Sequence, residues 1–165
     1  MSGRHTAELT TERLVLTPLR EDDAAEMVGV LSDAALYTFI GGSPPGVDEL
    51  RTRYRRQVKG PRRTGEIWHN WIIRLNGSGA IGFVQATVQD ESADVAWMIA
   101  PAWQRKGYAT EAAGAMCEWL RAAGIGTITA HIHPDHLASN KVALAIGLES
   151  TGQIDDEGEM IWSST

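Results

Sequence analysis

The run Gln104-Arg105-Lys106-Gly107-Tyr108-Ala109-Thr110 sets adjacent cations beside a glycine where a helical pattern opens. That grouping suits an anion. Upstream, Asp94 to Ile99 reads as an apolar strand, and Pro101 ends it because proline has no N–H to give a ladder. Downstream from Thr110, Ala113, Met116, Leu120 and Ala123 recur at helical spacing and predict a core-facing stripe. A strand, a glycine turn and a helix N-terminus in that order converge their N–H groups on one point. The aligned peptide dipoles add about half a positive charge there. ATP recognition through a P-loop would need G-x-x-x-x-G-K-S/T, a pattern the chain lacks.

A second group of reactive side chains is His131-Ile132-His133-Pro134-Asp135-His136, with Ser139 shortly after. His131 and His133 share a strand face by the period of two, which can suit zinc. Asp94, Ala96 and Met98 likewise share a side of their strand, so Asp94 can approach a substrate through a water. Gly77, Gly79 and Gly82 spell G-x-G-x-x-G, but a dinucleotide fingerprint must open a helix. Here the glycines lead into Ala80-Ile81-Gly82-Phe83-Val84, a strand, and exclude nicotinamide or flavin binding on that motif.

The turn Gln104-x-x-Gly107-x-Ala109 resembles the R/Q-x-x-G-x-G/A pattern of the GNAT superfamily of acyl-CoA N-acyltransferases. The block from Pro134 through His136, Ser139, Val142 and Gly147-Leu148 resembles the superfamily's second cofactor segment. The opening Thr11-Glu12-Arg13-Leu14-Val15-Leu16-Thr17-Pro18-Leu19 resembles the branch of ribosomal-protein N-terminal acetyltransferases (RimJ/RimL type). The resemblance implies acetyl-CoA as cosubstrate and direct transfer of its acetyl group to a primary amine, a protein N-terminus or a small amine. It implies that backbone amides of Arg105, Lys106, Gly107, Tyr108, Ala109 and Thr110, together with Gln104, surround the pyrophosphate. Met98, Ile99 and Ala100 would border the pantetheine arm, and amides near Trp97 to Ile99 would hold the oxyanion if that strand bulges. His136 stands where the family usually has asparagine, and would offer a hydrogen bond to a pantetheine amide. Ala143 stands where many members have an acid tyrosine; the branch resembled at the amino terminus uses a serine instead, which implies Ser139 as the general acid, while Asp94, by its place on its strand, is the candidate base. Those two departures keep a non-catalytic acetyl-CoA binder as the alternative. The same template accounts for the histidine run without a metal.

These groups need a scaffold, and the chain is long enough to bury one core. At 165 residues, with 43% hydrophobic and 22% charged residues, it reads as one globular domain. Residues 1–10 are expected as a flexible tail and 11–165 as the acyltransferase domain. The fold class expected is α+β, a mixed and mostly antiparallel sheet flanked by helices. In the resembled family the fourth and fifth strands splay and the cofactor enters between them. Strands are predicted at Glu12–Leu19, Ile67–Leu75, Ala80–Gln89, Thr127–Ile132, Thr151–Ile154 and Met160–Ser163, and helices at Asp22–Leu31, Val47–Lys59 and Leu137–Ile146. Leu50, Tyr54 and Val58 share the inward face of the second helix. The loop Gly41 to Gly46 before it would border the acceptor site in the resembled fold. The cations between Arg51 and Arg63 read as a solvated face; the alternative is a rim for an acidic substrate or the cofactor phosphates. A net charge of -6 argues against nucleic acid as a partner. No run approaches the roughly 18 apolar residues of a membrane span, and no signal peptide is expected. Cys117 is the single cysteine, and the reducing cytoplasm is the simplest compartment. A homodimer is left open.

Overall fold

The computed structural model describes residues 5–76 and 78–164. Gly77 of the glycine turn therefore lies outside the described residues, as does the start of the expected tail. Eight strands form one sheet in the order β1-β2-β3-β4-β5-β6-β8-β7. They are β1 Leu9–Thr10, β2 Leu14–Pro18, β3 Glu66–Leu75, β4 Ala80–Gln89, β5 Ser92–Ile99, β6 Thr127–Ile132, β7 Glu149–Ile154 and β8 Met160–Ser163. Four α-helices join them: α1 Ala24–Val30, α2 Val47–Lys59, α3 Tyr108–Ala122 and α4 Leu137–Ala145. Every neighbouring pair is antiparallel except β5 and β6.

Alternation along the strands sorts the side chains into two cores. Trp71, Ile73, Ile81, Val84 and Val95 pack with Ala113, Met116 and Leu120 of α3 and with Val142 and Ala143 of α4. On the opposite face Ile72, Phe83 and Met98 meet Met27 of α1 and Leu50 and Tyr54 of α2. The helices thus sandwich the sheet, α1 and α2 on one side, α3 and α4 on the other.

Some expectations shift. The tail is tied down before position 11: β1 pairs with β2, and the Trp71 Nε1–H donates to the Ala7 carbonyl at 2.7 Å. Val58 is 55% exposed, because α2 packs on the sheet only through its first three turns. Ala123 caps α3 rather than lining its core stripe, and Ala112 and Cys117 are buried in addition. Burial pushes the Cys117 thiol up to about 11, which leaves it an inert packing group. Of the four arginines of α2, Arg51 lies near Asp48, Arg53 near Glu49 and Arg55 near Glu21, and Arg56 is exposed. They form the solvated face.

The site depends on where β5 and β6 stop pairing. Their register covers only Ser92↔Thr127, Ala93↔Ile128 and Asp94↔Thr129. Beyond that point β5 stays on β4 while β6 follows β8. A wedge opens between them, with Asp94 and Thr129 at its apex.

Candidate active site

The wedge has a bare backbone edge. Ala100 N–H donates to the Ile81 carbonyl at 2.8 Å. In an antiparallel ladder hydrogen-bonded pairs alternate, so Met98 and Ala96 also face β4, while Trp97 and Ile99 turn their N–H groups away from it. With no β6 partner at those positions, these amides point into the wedge. The β4–β5 register is regular, so the bulge expected in this strand is absent; simple alternation presents the donors instead. The Met98 and Ala100 amides are committed to the ladder and cannot do so.

At the mouth of the wedge the chain passes through a 3-10 turn at Pro101–Trp103 into the glycine turn. Arg105 takes φ +64 and Gly107 φ +82. A left-handed residue other than glycine costs about 1–2 kcal/mol, and alternating handedness curls successive N–H groups into a concave nest. Gln104 shapes this nest from outside. Its side-chain amide donates to the Ile99 carbonyl at 2.8 Å, and its backbone N–H goes to Pro101. The amides from Arg105 to Thr110 have no acceptor among the described residues. They belong to the turn and to the first turn of the 15-residue α3. The fit to a diphosphate is direct: free, convergent donors at the positive end of a helix dipole.

Arg13 holds the nest in place, a role the sequence reading missed. Its guanidinium donates to the Lys106 carbonyl at 2.9 Å and to Glu111 at 2.7 Å, and lies 4.4 Å over the Tyr108 ring. A peptide's C=O and N–H point in opposite directions. Pinning the Lys106 carbonyl outward therefore aims the Gly107 N–H inward. Glu111 also accepts from Thr11 and from the Arg13 backbone. The only signal available was the Thr11-Glu12-Arg13 opening itself.

The second group runs from the end of β6 into the start of α4. His136 caps α4: its Nδ1 accepts from the Ser139 N–H at 3.3 Å, and its Nε2 lies 3.2 Å from Ser139 Oγ. With Nδ1 accepting, neutral His136 carries its proton on Nε2 and donates it to the serine oxygen. Burial, with the charge of His133 adding to it, lowers the His136 pKa and keeps the ring neutral. Both ring nitrogens thus contact Ser139. Asn140, the next residue, donates to the Pro134 carbonyl while its buried amide oxygen has no partner among the described residues. Phe39, from the segment between α1 and α2, packs at a tilt against His133 and His136 with ring centroids 5.0 and 4.8 Å away.

At the apex Thr129 donates to Asp94 at 3.1 Å, and His131 bridges from Asp94 (3.6 Å) to Asp155 (2.7 Å). Burial raises the Asp94 pKa despite the opposing effects of His131 and Thr129. His131 engages carboxylates while His133 and His136 meet Phe39, and no group of three or more His, Cys, Asp or Glu side chains placed to hold a metal ion occurs among the described residues.

A model of the acetyltransferase (GNAT) domain matches residues 13–149. The chain belongs to the GNAT acetyltransferase family. It is an acyl-CoA-dependent N-acyltransferase whose cosubstrate is acetyl-CoA. No curated protein matches it by sequence. Among solved structures it resembles a GNAT-family acetyltransferase from Bacillus anthracis, with TM-score 0.81 and 18% identity over 95% of this chain and 97% of that one. It also resembles RimL, the ribosomal L7/L12 α-N-protein acetyltransferase in complex with coenzyme A, with TM-score 0.80 and 16% identity over 95% and 97%. A third is aminoglycoside acetyltransferase AAC(6')-Ib in complex with coenzyme A, at TM-score 0.77 and 20% identity over 92% and 94%. Identities this low describe the fold that this GNAT chain shares.

Proposed function

We propose that the protein acetylates a primary amine by direct attack on acetyl-CoA in a ternary complex, and that its preferred acceptor is a protein N-terminus or another low-pKa amine. The observation that carries this reading is the continuity of free main-chain donors, from Trp97 and Ile99 in the wedge to the amides of Arg105 to Thr110 at its mouth. The turn amides hold the diphosphate, each charged hydrogen bond contributing roughly 1.5–3 kcal/mol. The Trp97 and Ile99 amides face the arm, and one of them is positioned for the thioester oxygen as charge develops there. The unpartnered Asn140 oxygen is a ready acceptor for an amide N–H of the arm.

Ser139 is the general acid of this reading. Because its oxygen already accepts from His136, its own hydroxyl proton is free to go to the leaving sulfur. The base of this reading comes from the apex of the wedge, where Asp94 stands. Acceptor preference follows from ionisation. An α-amine with a pKa near 8 is about one-tenth neutral at pH 7, whereas a lysine near 10.4 is neutral in about one molecule per few thousand. The opening that resembles the ribosomal-protein branch agrees with that preference, and the reducing cytoplasm is the compartment it implies.

The test is acetyl-CoA-dependent thiol release across a panel of amines. Peptides with a free α-amine are expected to react fastest, with polyamines and aminoglycosides slower. Ser139→Ala is expected to lower kcat by about 10²–10⁴-fold while acetyl-CoA affinity is kept. Binding of acetyl-CoA without amine-dependent thiol release would instead favour the non-catalytic binder, the reading that Ala143 keeps in play.

A further inference from the structure

We infer that His131, oriented by Asp155, is the general base that takes the proton from the acceptor amine. This rests on the acetyltransferase reading and assigns a residue within the same site.

The argument begins with register. Asp94 pairs with Thr129, so an unbroken ladder would set His131 beside Ala96. The strands have parted there, and the imidazole lies beside the apex of the wedge. Thr129 and His131 alternate with buried Ile128, Ala130 and Ile132, so His131 lies on the sheet face that Asp94 shares. Its Nδ1 is 2.7 Å from Asp155 Oδ2. An ionised carboxylate only accepts, so Nδ1 carries the proton and the Nε2 lone pair is left open. Asp155 is itself fixed, since its Oδ1 accepts the N–H groups of Glu157 and Glu159, each at 2.9 Å, in the β7–β8 turn. Those bonds, with that from His131, hold its pKa below the ordinary carboxylate value.

The surrounding charges favour a proton on Nε2 once it arrives. Asp94 Oδ1 stands 3.6 Å from it, too far for a good hydrogen bond but near enough to stabilise an imidazolium. Burial alone would lower the His131 pKa; the bond to Asp155 and the charges of Asp94, Asp155 and Glu159 outweigh it, and the net shift is upward. An imidazole titrating near neutral pH is a better matched base than a carboxylate. Asp94 then acts on His131, not on the amine.

The step balances as follows. One proton of the incoming ammonium passes to His131 Nε2 and later to solvent. The freed nitrogen pair forms the C–N bond at the thioester carbonyl carbon, and the C–S bond breaks. The sulfur takes a proton from Ser139, and the surplus proton shed by the new amide nitrogen restores the serine hydroxyl.

Two substitutions and one spectrum test it, using the full chain, acetyl-CoA and a short peptide with a free α-amine. His131→Gln is expected to lower kcat by about 10²–10⁴-fold and to remove the acidic limb of the pH–rate profile, with calorimetric acetyl-CoA affinity unchanged. Asp155→Asn keeps an oxygen for the turn but presents an N–H to Nδ1, forcing the proton onto Nε2. It is expected to impair kcat comparably with little change in melting temperature, the tautomer effect known for an Asp–His pair. Nitrogen-15 NMR of wild-type protein above the His131 pKa is expected to show the Nδ1–H tautomer. A His131→Gln enzyme within threefold of wild-type kcat, or an Nε2–H tautomer in the wild type, overturns the assignment. Failure of wild-type protein to bind acetyl-CoA would sink the acetyltransferase reading itself; retained binding with an unimpaired His131→Gln sinks only the base.

Discussion

At Gly107, a Cβ would stand 3.3 Å from the Arg13 guanidinium in a backbone with φ +82. That contact is tight but falls on the end of a flexible side chain, so conformational strain is the larger obstacle. Gly107→Glu also brings a carboxylate to where a diphosphate would sit. We expect this substitution to abolish acetyl-CoA binding in calorimetry; unchanged affinity would show that the nest is not the anion site. Ser139 and His136 illustrate the same dependence on single atoms. Either residue alone is an ordinary helix-start group, and only the 3.2 Å contact between them makes the serine hydroxyl a directed donor.

Among the elements, β4 and β5 determine the shape of the wedge. A Cβ on Gly82 would lie 2.0 Å from the Met98 carbonyl oxygen, a backbone atom that cannot turn aside. Gly82 therefore lets β4 approach the end of β5 closely. Gly82→Ala must push β5 outward at the residues that carry the open Ile99 amide. We expect about 1–3 kcal/mol of destabilisation by urea titration, as for overpacking in a close-packed core. The KM for acetyl-CoA should rise with it. Wild-type KM together with wild-type stability would show that the close approach is dispensable.

For the molecule as a whole, carboxylates fasten the layers to one another. Glu26 of α1 accepts from the Ala80 N–H at 2.9 Å and from Arg74 at 2.6 Å, tying the helix to the β3–β4 hairpin. Glu111 of α3 ties the second layer to the β1–β2 turn through Thr11 and Arg13. The Ala80 N–H and Arg74 hold Glu26 below its ordinary value of 4.5. Burial pushes Glu111 up, but bonds from Thr11 and Arg13 outweigh it and bring it below 4.5 as well. A lowered folded pKa means that the stabilisation is complete above the unfolded value and is lost as pH falls through the folded one. The urea midpoint is therefore expected to fall steeply below about pH 4.5, and Glu26→Gln should flatten that fall. A wild-type midpoint that stays level there would contradict the linkage. His131 works in the opposite sense. Its raised pKa adds stability below the ordinary histidine value, and that share disappears as pH rises through the folded value.

The sequence by itself determined the local features. Val47–Lys59 and Ala80–Gln89 follow from helical and strand periodicity, and the glycine turn follows from its order between a strand and a helix. These are properties of neighbours along the chain, and pattern and propensity suffice to read them. The tertiary structure alone decided which side chains meet. Arg13 reaches Lys106 and Glu111, Phe39 covers two histidines, and His131 lies between Asp94 and Asp155, each across a long stretch of sequence. The split of β5 from β6 after Asp94 is likewise a matter of which strand each one follows in the sheet. Side-chain hydrogen bonds act over a few ångströms in space, and only the folded sheet fixes those distances.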